Sequence, residues 1–149
     1  MRTIIALLLL LPLATACASG PDKAELDAEV KRLCAIDGGV KVYETVKLPA
    51  ERFNKLGQVH LPSIEYAKED TDYYYVLTTT NIRGNSNAEQ TTDPVIWRSE
   101  YQIVRKADKK VMAELVSYTR RGGDLPGPWH TSHYTCPEGD PLRGVFIKQ

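Results

Sequence analysis

Two histidines and one cysteine, spaced three residues apart, form the part of this chain whose residue types could support chemistry. His130, His133 and Cys136 lie within the stretch GGDLPGPWHTSHYTCPEG, residues 122–139. Imidazole and thiolate are good ligands for zinc and copper, and three such ligands with an open position make a catalytic metal site. The same cysteine can instead form a disulfide in an oxidising compartment. Other features of the sequence favour either metal binding or disulfide formation.

The local backbone pattern disfavours the metal site. Residues three apart share a face on a helix, and Pro126 and Pro128 oppose a helix in this stretch. In extended backbone, His130 and His133 point to opposite sides of the chain. We therefore predict no metal ion and no cofactor, and we keep His130 and His133 as the candidate metal ligands of the stretch.

Catalysis by a nucleophile or by paired carboxylates finds little support. The chain has no Gly-x-Ser-x-Gly motif, and Ser132, between the two histidines, lacks the turn that would expose it. Carboxylate pairs such as Glu65 with Glu69 have the pattern of solvated loop charges. We do not predict an enzyme.

The first sixteen residues have the three-part layout of a secretory signal peptide. Arg2 precedes an apolar run over 4–11, and the small residues Ala14, Thr15 and Ala16 follow. The apolar run is too short for a transmembrane helix, which needs about 20 apolar residues. We predict a signal peptide over residues 1–16, which takes no part in the fold.

Cys17 follows directly after the predicted cleavage site. This arrangement resembles a bacterial lipobox, in which the cysteine is acylated and becomes the new N-terminus, although Ala14 stands where the pattern usually has Leu. The alternative is an ordinary cleavage that leaves a free cysteine. By resemblance to Gram-negative lipoproteins, the absence of Asp at position 18 implies the outer membrane. We predict lipid attachment (palmitate) at Cys17, a tether over residues 17–21 and a periplasm-facing domain anchored to the outer membrane.

If Cys17 carries lipid, Cys34 and Cys136 are the two remaining cysteines. Two cysteines in an oxidising compartment are expected to pair, so we predict a Cys34–Cys136 disulfide. Closing a loop of about one hundred residues contributes about 4–5 kcal/mol in the chain-entropy model.

Hydrophobic periodicity predicts one helix followed by strands. Residues 22–36 place Leu26, Val30, Leu33 and Cys34 at helical spacing. Alternating or β-branched runs predict strands over 40–48, 73–83, 95–105 and 111–120, with a short edge strand near the C-terminus over 143–148. The prediction is a single α+β domain over residues 22–149. It consists of an antiparallel β-meander of about four to five strands with the N-terminal helix packed on one face.

We expect the sheet and this helix to be the only packed layers. The predicted core is drawn mainly from the strands: Val42, Val46, Val76 or Leu77, Trp97, Ile103 and Leu115. On the 73–83 strand, Tyr73 and Tyr75 face the same way, and with Trp129 they form a candidate binding surface, because tyrosine and tryptophan are enriched at interfaces. The alternative for the tyrosines is ordinary sheet packing.

Two stretches resemble uncharacterised small proteobacterial lipoproteins: CAIDGGVKVYETV at 34–46 and GGDLPGPWH at 122–130. The resemblance implies no activity. With 19 basic and 19 acidic residues, the chain has no charge that favours nucleic acid. We predict a membrane-anchored periplasmic lipoprotein that is a non-enzymatic interaction or structural module of the envelope, with another envelope protein as partner. The alternative is a periplasmic protein that binds a metal ion or small ligand through the 122–136 loop.

Overall fold

The computed structural model describes residues 22–85, 93–124, 130–139 and 144–149. Within these residues the chain forms one α-helix and seven β-strands: α1 (Lys23–Asp37), β1 (Gly39–Val42), β2 (Val46–Leu48), β3 (Tyr73–Arg83), β4 (Val95–Arg105), β5 (Lys110–Arg121), β6 (His133–Cys136) and β7 (Phe146–Lys148). The prediction of an α+β fold with an antiparallel sheet and an N-terminal helix is confirmed. No helix in the described part of the chain is long and apolar enough to span a bilayer.

The main sheet is built around β5. Strands β3, β4 and β5 form an antiparallel meander, each paired with the next along most of its length. The other edge of β5 carries two short strands end to end, because β1 pairs with Ala113–Val116 and β6 pairs with Tyr118–Arg121. As a result β5 has partners on both sides, whereas β3 is the outermost strand of its side.

Helix α1 covers one face of this sheet. Its N-terminus is capped by Asp22, whose carboxylate accepts a hydrogen bond from the backbone N–H of Glu25 at 2.9 Å. Three side chains on one stripe of the helix are buried with three from the sheet. This helix-side core consists of Leu26, Val30, Cys34, Ile96, Val116 and Tyr118.

The opposite face of the sheet carries a second core that the sequence did not predict. Ile103 lies an odd number of positions after Ile96 on β4, so its side chain points away from the helix. The residues that pack on it come largely from segments outside the meander. The second core consists of Leu48, Val59, Leu61, Ile103, Met112, Ala113, Val145 and Phe146. The expectation that the helix and sheet are the only packed layers is therefore wrong.

The predicted strand over 40–48 is divided in two. β1 pairs with β5 in the main sheet, whereas β2 pairs in parallel with β7 in a separate two-stranded sheet. At the division, the backbone N–H groups of Tyr43 and Glu44 both donate to Met112 O, at 2.8 and 3.1 Å. Glu44 interrupts the apolar alternation because its carboxylate turns to the Arg105 guanidinium and, at 2.7 Å, to Lys110 Nζ.

The predicted core is only partly correct. Ile103 is fully buried, but Val42 and Leu77 are 42% and 54% exposed. Val46, Trp97 and Leu115 are half-buried, and Val46 packs against the second core. On β4, apolar residues are buried on both faces of the strand, because the helix covers one face and the second core covers the other.

Candidate functional site

The stretch that first suggested chemistry is a hairpin loop fastened at its base. Gly122 N–H donates to Ser132 O at 3.0 Å, and the Asp124 carboxylate accepts from both the N–H and the Oγ–H of Ser132 at 2.7 Å. These two hydrogen bonds hold the pKa of Asp124 below its ordinary value. Gly123 has φ +82°, and a Cβ there would lie 2.5 Å from Leu26 Cδ1, so only glycine fits against the helix. Trp129 of the candidate binding surface lies outside the described residues.

Arg120 is the residue that ties this loop to the helix. Its side chain is fully buried, and its Nε donates to Asp27 Oδ1 at 2.8 Å. Its Nη1 donates to Gly122 O at 2.8 Å and to Ser132 Oγ at 2.8 Å. Arg120 was not among the predicted site residues. Arg120 follows Val116 and Tyr118 on the helix face of β5, but an arginine at the end of a strand is normally solvent-exposed, so no sequence signal marked it.

The three candidate metal ligands do not converge. His130 and His133 are both exposed, and Cys136 forms a disulfide with Cys34, the predicted pair. The described residues contain no group of three or more His, Cys, Asp and Glu side chains arranged to hold a metal ion. Because the Cys136 sulfur is bonded to Cys34, it cannot serve as the third ligand of the hypothesised metal site.

The predicted tyrosine surface is part of the packing on the second core. Tyr73 lies edge-on to Phe146 with 5.1 Å between ring centroids, and Tyr75 stacks on Tyr101 at 4.7 Å. Both are half-buried and share one side of the sheet, whereas Tyr74 is buried on the other side. These contacts favour the sheet-packing alternative for Tyr73 and Tyr75.

A polar network joins the end of α1 to the helix face of the sheet. Arg98 Nη2 and Tyr118 Oη donate to the two carboxylate oxygens of Asp37, at 3.0 and 2.7 Å. Arg98 Nη1 also donates to Glu100 at 2.8 Å. The Tyr118 hydrogen bond, followed by those from Arg98, lowers the pKa of Asp37. Burial, with Asp37 beside it, raises the pKa of Tyr118. Each charge has a partner within the network, so it serves to fix the helix end rather than to activate a nucleophile.

A shallow cleft of about 530 Å³ lies beside the β4–β5 turn, lined in part by Asp72, Tyr73, Arg105 and Lys106. The cationic side chains that line it already have partners within the chain. Arg105 donates to Asp108 at 2.7 Å, which lowers the pKa of Asp108 to about 2, and Lys106 Nζ donates to two backbone carbonyls at 2.6 and 3.0 Å. The cleft therefore offers little unpaired charge to an anionic ligand.

The outer edge of β3 pairs with other described residues only near its start. Tyr75 N–H donates outward to Pro62 O at 3.0 Å, and Ser63 forms an isolated bridge with Tyr75. Since backbone groups alternate direction along an antiparallel strand, Leu77 and Thr79 also point their N–H and C=O groups outward. Beyond Tyr75 no described strand pairs with this edge. Every residue from Leu77 to Arg83 is exposed.

The sequence contains a signal for the exposure of this strand. The strand was predicted with its observed bounds, and its run Thr78-Thr79-Thr80 is polar without charge. A strand with one buried face would alternate apolar and polar residues, so consecutive threonines indicate a strand exposed on both faces.

Comparison with known proteins gave no matching family model, no matching curated protein and no matching solved structure. The resemblance to small proteobacterial lipoproteins stays a prediction.

Proposed function

We propose that this chain is a membrane-anchored lipoprotein of the bacterial envelope whose domain is a non-enzymatic binding module. The observation that supports it most is the outer edge of β3, with which no described strand pairs beyond Tyr75. Exposed edges in natural proteins are usually shortened, charged or covered, because they pair readily with other extended chains. This edge is long, and its exposed residues from Leu77 to Ile82 carry no charge. It suits binding by strand addition, in which backbone hydrogen bonds supply affinity.

The remainder of the described surface is less suited to catalysis. The guanidinium groups of Arg98 and Arg105 are bound by carboxylates, and the thiols of Cys34 and Cys136 are joined. These groups stabilise the two cores and the loop base. An interaction module is consistent with charged groups that are paired within the chain and with an edge of β3 that faces outward.

The anchor is the predicted acyl chain on Cys17. Helix α1 begins at Lys23, only a few residues later. A chain of that length reaches at most about 20 Å, so the domain would stay near the bilayer surface. Multiple acylation of the lipoprotein type anchors stably, whereas one acyl chain binds a membrane only marginally. The proposed location is the periplasmic face of the outer membrane, and the proposed partner is a protein of the same envelope.

The anchor is tested by metabolic labelling with a palmitate analogue and by membrane fractionation. Wild-type chain should carry label and sediment with outer-membrane fragments. Cys17→Ser should carry none, and should appear as soluble protein or as unprocessed precursor. Wild-type protein with an unmodified N-terminal cysteine would contradict the proposal.

The binding edge is tested in intact cells with a photo-crosslinking side chain at Thr79. The matched control carries the same side chain at Lys41, an exposed residue of β1 at the other side of the sheet. Adducts that form at Thr79 and are absent at Lys41 would support strand addition at β3. Equal adducts at both positions, or none at Thr79, would refute it.

A further inference from the structure

A second cleft, of about 400 Å³, lies between β7 and the segment that follows β2. Small-molecule sites in proteins start at about 300 Å³. Two aromatic side chains, Phe53 and Phe146, line the cleft and are half-buried and buried. Two lysines, Lys55 and Lys148, also line it and are exposed. None of the described residues that line the cleft is acidic.

One wall of the cleft is the turn that contains Lys55. Asn54 Oδ1 accepts hydrogen bonds from the backbone N–H groups of Leu56 and Gln58, both at 2.9 Å. Gly57 N–H donates to Asn54 O at 2.9 Å, and the φ of +73° at Gly57 allows the turn to close. The turn is therefore held by its backbone and by Asn54, which leaves the Lys55 ammonium group available.

The other wall is β7, which places a lysine on the same side as a phenylalanine. Side chains alternate along a strand, so Lys148 shares one side of β7 with Phe146. Phe146 is fixed in the second core, where its ring lies edge-on to that of Tyr73. Ile147 adds apolar surface, since it lines the cleft and is 40% exposed. The cleft thus combines fixed apolar walls with two mobile positive charges.

Positive charge is concentrated in this part of a chain whose basic and acidic residues are equal in number. The segments 46–58 and 144–149 contain four basic residues and one acidic residue, Glu51, which does not line the cleft. The Arg52 guanidinium is paired with Asp72. Neither lysine of the cleft forms an ion pair with a residue that the structure describes. The charge of the cleft is therefore complementary to an anion.

The place of the cleft in the fold favours a dissolved ligand over a membrane surface. Phe146 packs with Met112, near the start of β5. Helix α1 begins at Lys23, beside Gly123, just past the other end of β5. A strand of twelve residues spans about 40 Å. Because the proposed tether precedes α1, the cleft lies at the end of the sheet that is remote from the anchored membrane.

We propose that this cleft binds a small, dissolved organic anion that carries a compact apolar group such as an aromatic ring. The apolar group packs against Phe53 and Phe146, and its removal from water supplies affinity. The carboxylate or phosphate group lies beside the ammonium groups of Lys55 and Lys148, which select for negative charge. The cleft is separate from the β3 edge, so this inference does not depend on strand addition.

The first test compares three water-soluble compounds by isothermal titration calorimetry of the full-length protein in nanodiscs of zwitterionic lipid, with empty nanodiscs as the blank. Phenyl phosphate carries both the ring and the negative charge, and should bind. Inorganic phosphate lacks the ring, and phenyltrimethylammonium has the opposite charge, so both should bind at least about tenfold more weakly. No binding of phenyl phosphate, or equal affinity for it and either of the other two compounds, would overturn the proposal.

The second test locates the bound anion with three variants that each remove one lysine charge. Lys55→Gln and Lys148→Gln should each raise the Kd of phenyl phosphate at least about threefold, and by less at high salt. The matched control is Lys47→Gln, because Lys47 is exposed on β2 opposite Ile147 but does not line the cleft. This control should leave the Kd unchanged, and circular dichroism verifies that all three variants are folded.

Equal increases in Kd for all three variants would mean that phenyl phosphate responds to the general positive charge of this surface, and would overturn a site in the cleft. A further variant separates the apolar contribution. Ile147→Ser should weaken phenyl phosphate binding and leave the weaker binding of inorganic phosphate unchanged, because only the first compound has a group that contacts the apolar wall. Equal weakening of both compounds would contradict the proposed orientation of the ligand.

Discussion

The two sides of the main sheet differ in how their edges are covered. The far edge of β5 carries β1 and β6 end to end, along Ala113–Val116 and Tyr118–Arg121. The outer edge of β3 has one described bridge, at Tyr75, and is exposed from Leu77 onward. Strand β5 is thus paired on both sides, in part by segments from distant parts of the chain, whereas beyond Tyr75 no described strand pairs with the outer edge of β3.

The closed edge is held by covalent and ionic contacts. The Cys34–Cys136 disulfide joins the last turn of α1 to the end of β6, and Arg120 joins the helix to the loop that precedes β6. The open edge has no comparable fastening among the described residues. The difference suggests that stability is concentrated at the β5 side, which leaves the β3 side available for binding.

Removal of the disulfide should cause the largest loss in the free energy of unfolding. In a Cys34→Ala, Cys136→Ala double variant, the unfolded chain is no longer constrained by a bond spanning 102 residues. The free energy of unfolding should fall by about 4–5 kcal/mol in the chain-entropy model. Urea denaturation measures it, and hydrogen exchange should show the loss first at β6 rather than at β3. A loss below about 1 kcal/mol would mean that β6 is held without the bond.

Removal of the buried Arg120 guanidinium should cause the second-largest loss in the free energy of unfolding. Arg120→Met leaves the Asp27 carboxylate and the Ser132 hydroxyl without their donor, and breaking a buried ion pair costs about 3–5 kcal/mol. We expect the lower end, because the Asp27 side chain is 24% exposed and can rehydrate.

The matched control for Arg120 is Arg52→Met. Arg52 also pairs with an aspartate, Asp72 at 3.3 Å, but the two side chains are 44% and 62% exposed. Exposed pairs contribute about 0–1 kcal/mol, so this variant should be nearly as stable as wild type. Similar losses for both variants in urea denaturation would show that burial of Arg120 does not set its contribution.

The sequence could predict those elements whose signals are local. Strands β3 and β4 were predicted with their observed bounds, because each is a β-branched and aromatic run bounded by turn residues. Helix α1 was predicted from its apolar spacing. These signals are local. The disulfide was predicted from the number of cysteines and the expected compartment, which requires no geometry.

What the sequence could not predict depends on distant partners. The 40–48 segment reads as one strand, but its second half pairs with β7, about one hundred residues later, and no local pattern shows that. The second core was missed because Val59, Leu61 and Val145 lie in segments without strand or helix periodicity. The order of the strands could not be predicted either, since it follows from pairing between distant segments; the threonine run indicates exposure of β3 but not its place in the sheet.

A smaller, pH-dependent effect is expected at the junction of α1 and the sheet. Hydrogen bonds from Tyr118 and then Arg98 lower the pKa of Asp37 below the ordinary value of an aspartate. A depressed carboxyl pKa stabilises the fold fully above the unfolded pKa, about 4, and the stabilisation is lost as the pH falls through the folded value. The free-energy difference between wild type and Asp37→Asn should therefore be constant above about pH 5 and shrink below about pH 4.

The control for Asp37 is Tyr118→Phe, which removes the largest cause of the shift but keeps the buried ring. In that variant the pH at which the Asp37-dependent difference disappears should move upward, toward the ordinary carboxyl value. A difference between wild type and Asp37→Asn that does not change with pH would show that the carboxylate is not held in its charged form by these donors.

The smallest effect on unfolding is expected at the open edge, where lysine replaces threonine on two strands of the same sheet. Thr79 is exposed on β3, whereas Thr119 on β5 lies between Trp97 and Thr135, and its hydroxyl is 2.9 Å from that of Thr135. In monomeric protein, Thr79→Lys should change the free energy of unfolding by less than about 0.5 kcal/mol, because an exposed edge residue has few contacts to lose. Thr119→Lys should cost about 1–3 kcal/mol, since it removes a hydrogen bond from a half-buried position with neighbours on both sides. Denaturant titrations would measure both. Equal losses would show that the β3 edge is as tightly covered as the β5 edge, and the contrast on which the binding proposal depends would be lost.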